Sequence, residues 1–100
     1  MSVLVTMRVP GNTDQFRSFV TSEPGRMQAM ADVARAGGAI HHRFGIGDGF
    51  VIVVDEWESA EAFQAFFQGN EDLPQLMRDA GALGEPEITF TEAVETADQF

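Results

Sequence analysis

The stretch from Gly49 to Phe67, GFVIVVDEWESAEAFQAFF, constrains the fold more than any other part of the chain. Phe50 to Val54 carries no polar side chain, and an uninterrupted apolar run of that length suits a strand covered on both faces. The run passes through an acidic segment holding the only Trp of the sequence and enters a Phe-rich amphipathic helix. A chain of 100 residues makes one domain with one core, and its own helices cover one face of a sheet. The second cover has to come from another molecule. The sequence therefore predicts a homodimer.

The charge balance narrows the partners. Sixteen Asp and Glu face six Lys and Arg, for a net charge of -10. Such a surface repels phosphate backbones and anionic lipid, so neither nucleic acid nor a membrane surface is an expected partner. The plainer meaning of the acidity is solubility. There is no Cys, which excludes disulfides and thiolate zinc sites. Met1 to Val9 lacks a basic leader and a long apolar run, and no segment approaches the roughly 20 apolar residues of a membrane helix. The expected location is the cytoplasm.

Residues 2–9 alternate as a strand that Pro10-Gly11 ends. Asn12 is placed to cap a helix, with Gln15 at the capping-box position and Phe16, Phe19 and Val20 on one face. Pro24 restarts that helix after a break, Met27, Met30, Ala31 and Ala34 extend the stripe, and Gly37-Gly38 stops it. Ala39 to Ile46 and Phe50 to Trp57 form a predicted hairpin around Asp48-Gly49. Ser59 caps a helix with Phe63, Phe66 and Phe67 on its core face. A loop with a short helix spans residues 70–82, and residues 87–94 alternate as a last strand. The order is β-α-β-β-α-β, an α+β ferredoxin-like arrangement with a four-stranded antiparallel sheet. Right-handed crossovers put both helices on one face. Residues 1–94 are read as a single domain and 95–100 as a tail.

Side chains alternate along strands, which sorts the sheet into two sets. The greasier set is predicted to face the helices: Val5, Met7, Ile40, Phe44, Ile52, Val54, Ile88 and Phe90. The other set is mixed: Leu4, Thr6, Arg8, His41, Arg43, Val51, Val53, Asp55, Trp57, Thr89 and Thr91. Apolar walls with a few convergent polar groups describe a small-ligand cavity. That second face is the expected pocket.

The element order, His41-His42-Arg43-Phe44, and above all Asp55-Glu56-Trp57-Glu58-Ser59-Ala60-Glu61-Ala62-Phe63 resemble the dimeric α/β-barrel superfamily, in particular its antibiotic biosynthesis monooxygenase (ABM)-like members. The resemblance spans about Val3 to Val94 and is more specific for fold than for activity. It implies two subunits pairing their bare sheets into a barrel. It also implies oxidation of a small aromatic or polyketide-like quinol or anthrone by molecular oxygen, with no metal or other cofactor. The substrate's own carbanion then reduces oxygen, and the protein supplies a dry cavity, a base and a charge stabiliser. On that reading His41 is the candidate base, with Asp55 as a second base or its orienting partner. Arg43 or Arg8 would hold the developing anion, and Trp57 would stack on a flat ligand. Thr6, Val53 and Thr89 complete the expected ligand wall. Haem-degrading relatives use a His on the second helix and an Asn on the first strand, and this chain has neither.

Simpler roles stand beside these. His41 and His42 are neighbours on a strand and point to opposite faces, so they cannot chelate one metal ion. His42 is expected to pack between Ile40 and Phe44. Arg43 is as well suited to pairing with an acid, and Trp57 to anchoring a core or an interface. Gly45-Ile46-Gly47-Asp48-Gly49 precedes a strand rather than a helix, so it makes no phosphate cradle. Beside the oxygenase stand two other functions, a non-catalytic binder of small hydrophobic ligands and a polyketide-type cyclase or isomerase. Fold alone does not choose among them.

Overall fold

The computed structural model describes residues Met1–Phe100. The strands are β1 (Val3–Pro10), β2 (Ala39–Ile46), β3 (Phe50–Trp57) and β4 (Glu87–Glu92). Helices α1 (Thr13–Ser22) and α2 (Pro24–Ala36) join β1 to β2, while α3 (Ala60–Gly69) and α4 (Leu73–Asp79) join β3 to β4. The four strands form one antiparallel sheet in the order β2-β3-β1-β4, the ferredoxin-like topology.

Local chemistry sets the boundaries. The Asn12 side chain accepts the Gln15 backbone N–H at 2.9 Å and starts α1. The reciprocal half of the expected capping box is absent, because the Gln15 side chain donates to the Asp79 carbonyl instead, tying α1 to the end of α4. Ser59 caps α3 by accepting the Ala62 N–H at 3.0 Å. Pro24 opens α2, as its missing N–H and fixed φ favour. Gly49 takes φ +80° in the β2–β3 loop, a conformation that suits Gly.

All four helices lie on one face of the sheet. Val5 and Trp57, each 1% exposed, meet Phe63 at the centre of the core. Trp57 packs edge-on against Phe63 with ring centroids 5.5 Å apart, and Phe63 meets Phe90 of β4 the same way at 5.6 Å. Burying Trp57 and Phe63 contributes roughly 1.5–3 kcal/mol each by area alone. No helix is long and apolar enough to cross a membrane.

The pairing register corrects the predicted facing of β3. Val3, Val5, Met7 and Val9 of β1 stand opposite Trp57, Asp55, Val53 and Val51. These β3 residues therefore share the helix-covered face, and all four are buried. Ile52 and Val54, expected there, lie on the open face, where Val54 is 46% exposed. Val53 accordingly packs under the helices and not on the open sheet. Ile40 also leaves the predicted core. The β2–β3 register shifts between Ala39 and His41, and Ile40 sits in that irregularity with no partner and largely exposed. The expected sides of β1, β4 and the rest of β2 match the register.

Candidate active site

A cavity of about 420 Å³ lies between the sheet and the helices, inside the single subunit. The expectation had placed the pocket on the opposite, uncovered face. Hydrophobic residues make up 21 of the 28 that line it, so it is an apolar chamber with few polar groups. Val51, Val53 and Trp57 form part of its floor, and Met27, Met30, Phe66 and Phe67 part of its roof.

The polar groups gather around Asp55. In the β2–β3 ladder His42 stands opposite Asp55, which brings the imidazole and carboxylate to the same face. His42 Nδ1 lies 2.6 Å from Asp55 Oδ1. Two residues on, Trp57 returns to that face and its indole N–H donates to Asp55 Oδ2 at 3.0 Å. An indole N–H only donates, so Asp55 accepts from it, and an Nδ1–H of His42 completes the other oxygen. Asp55 is the only buried charged residue and has both oxygens satisfied. His42 is different: its side chain is 41% exposed, and its ring packs edge-on against Phe44 at 4.7 Å. Phe44 in turn meets Phe16 of α1 at 5.2 Å. The histidine thus stands at the mouth of the chamber, with its acid inside. Held by Nδ1, it keeps Nε2 free of any protein partner.

This arrangement can hold a base in one orientation. A carboxylate fixes the tautomer, Nε2 keeps its lone pair, and the resulting imidazolium is stabilised by the same carboxylate. Asp55, Trp57 and Val53 line the chamber, as do both histidines. The register nevertheless puts the His41 side chain opposite Glu56 on the open face, away from Asp55. Arg43 stands opposite Val54, Arg8 opposite Ile52 and Thr6 between Val54 and Thr89, all on that open face. Arg8 there covers the Phe50 ring, 3.5 Å from its centroid. The expected set is therefore split across the sheet. His42, read from the sequence as a packed histidine, is the residue that reaches Asp55. No cluster of three His, Cys, Asp or Glu suited to holding a metal ion is present.

No protein-family profile and no curated protein matches this sequence. Solved structures do match its fold. A monooxygenase from the ActVA-Orf6 gene of Streptomyces coelicolor, in complex with nanaomycin D, superposes with a TM-score of 0.70 at 14% identity, over 99% of this chain and 93% of that one. SnoaB, a cofactor-independent oxygenase of Streptomyces nogalater, gives 0.64 at 19% identity over 98% of both chains. An antibiotic biosynthesis monooxygenase gives 0.64 at 11% identity over 93% of this chain and 99% of that one. The chain has the fold of antibiotic biosynthesis monooxygenases along nearly its whole length.

Proposed function

We propose that this protein is an ABM-type, cofactor-independent monooxygenase that oxidises a small, flat aromatic or polyketide-like quinol or anthrone. The observation that carries the reading is the His42–Asp55 pair at the mouth of an apolar cavity, supported by the monooxygenases that share the fold.

The chemistry follows from the residues. An anthrone-type methylene loses a proton to His42 Nε2, and the carbanion is stabilised by its own ring system. Asp55 holds the imidazolium that forms. The electron-rich carbanion passes electrons to molecular oxygen, the two combine into a peroxide anion, and the His42 imidazolium returns its proton to give the hydroperoxide. Loss of water from the peroxide leaves a carbonyl, so one oxygen atom enters the substrate and the other leaves as water. The apolar walls exclude bulk water from these intermediates. Trp57, already bonded to Asp55, supplies a flat wall for the ring system. On this geometry the base is His42, and no step falls to His41 or Arg43.

The same proposal makes the protein a cytoplasmic homodimer, its open sheet covered by a second copy. The isolated chain exposes 6646 Å² at a mass of 10.9 kDa. A folded monomer of that mass typically exposes about 5,600 Å². The excess of about 1,000 Å² is of the order that one partner contributes to a standard interface, about 800 Å². Leu4 and Val54 stand on that face, 40% and 46% exposed. The cavity is a property of each subunit, so dimerisation completes the sheet rather than the chamber.

Dissolved oxygen followed by electrode during aerobic incubation with a panel of anthrones and hydroquinones tests the function. Uptake above the protein-free rate is expected for at least one compound. No such uptake across the panel overturns the oxygenase, and conversion without oxygen consumption identifies a cyclase or isomerase instead.

A further inference from the structure

The chamber has one permanently cationic neighbour. Among its lining residues the charged or ionisable ones are Arg35, His41, His42 and Asp55, and of these the His41 side chain lies on the open face. Arg35 lies in the last turn of α2, next to the α2–β2 connection that leads into the His42 strand. Arg35 is exposed and its side chain makes no ion pair and no hydrogen bond within the protein. The other arginines with partners show the contrast: Arg26 pairs with Asp79, Arg78 bonds Gln75 and Arg8 covers Phe50. Arg17 and Arg43 are also free, but neither lines the cavity.

We infer that Arg35 reads the substrate: the flat ligand carries a carboxylate at its outer edge, which Arg35 binds while the ring system enters the chamber. This rests on the oxygenase reading and adds a substrate class to it. A guanidinium presents a planar fork of donors matched to a carboxylate, and such bidentate charge-assisted bonds are stronger than neutral ones. The chain's net charge of -10 repels anions at long range, so a local cation is what makes an anionic ligand acceptable at this cavity. The competing role for Arg35 is to sit against the α2 carboxyl end, where a cation stabilises the helix dipole. That role has no preference between charged and neutral ligands.

The test is a binding titration with anthraquinone-2-carboxylate and with its neutral methyl ester. Trp57 is the only Trp and lines the cavity, so quenching of its fluorescence reports occupancy directly. The wild type is expected to bind the carboxylate at least tenfold more tightly than the ester. Arg35→Gln should abolish that margin by weakening the carboxylate about tenfold while leaving the ester within twofold. Arg35→Lys, which keeps the charge and loses the fork, should retain only part of the margin. Equal affinities in the wild type, or equal losses for both probes in Arg35→Gln, overturn the inference. If neither probe quenches Trp57, the cavity is not the ligand site and both readings fall. If the probes bind without discrimination while anthrones still drive oxygen uptake, only the role of Arg35 is lost.

Discussion

The two faces of the sheet both carry apolar side chains, many more on the covered one, and have opposite fates. On one, Val51, Val53, Asp55 and Trp57 are buried beneath helices, and the single charge among them is bonded on both oxygens. On the other, Leu4, Ile52 and Val54 stand among Thr6, Arg8, Arg43 and Thr89 with no element of the chain above them. A polar group beneath the helices is tolerated when its hydrogen bonds are complete, as those of Asp55 are. On the uncovered face polar and apolar groups mix freely, the composition of a surface awaiting a partner. The presence of polar residues does not by itself mark a candidate site; here their mutual satisfaction beside a cavity does.

The sharpest way to break this comparison is one substitution at two consecutive residues. Val53→Asp puts an unpaired carboxylate under the helices and should cost several kcal/mol, enough to prevent folding. Val54→Asp should leave the fold intact and yield a monomer. Circular dichroism and sedimentation velocity separate the outcomes, and a Val54→Asp protein that still sediments as a dimer removes the open face from the interface. Next come the two sides of the site. His42→Ala should lower oxygen uptake by roughly 100-fold or more, the usual contribution of a positioned base. His41→Ala, on the open face, should change it little. The reverse ranking would transfer the base to His41.

A smaller effect is expected at Ser59, whose hydroxyl starts α3 and so places Phe63 against Trp57. Ser59→Ala should cost about 1 kcal/mol, read from chemical denaturation. The smallest lies on the outer surface. The Asp79 carboxyl is held below its ordinary value of 3.8 by the hydrogen bond from Gln75, then by Arg26, which also links α2 to α4. A carboxyl whose folded value is lowered adds stability that is present above its unfolded value and fades as pH falls through the folded one. Below pH about 4, Asp79→Asn should therefore lose less of its thermal midpoint per pH unit than the wild type. Parallel acid limbs would show that this pair adds nothing.

The element order, the caps at Asn12 and Ser59 and the Asp48-Gly49 hairpin were all legible in the sequence, because each rests on local chemistry. The facing of β3 was not. Val51 and Val53 look the same as Ile52 and Val54 to any rule based on alternation, since both sets are apolar. Asp55 then pulled its set toward the face that already held Arg8 and Arg43. The missed signal was the hairpin itself. Counting outward from Asp48-Gly49 sets Phe44 opposite Val53 and His42 opposite Asp55, which joins β3 to the face of Phe44 and finds the pair. The irregularity at Ile40 had no such marker, because nothing in Gly38-Ala39-Ile40 announces an unpaired residue.

His42 has one foot in each medium: its Nδ1 is tied to a buried acid while two-fifths of the side chain is wetted. An imidazole so placed meets the surrounding buffer at the doorway, so hydrons reach it without crossing the greasy interior, and the fold need not breathe to let them through. Were it the base of the proposed oxidation, the hydron it lends back to the guest and any it trades with the medium would pass through one ring.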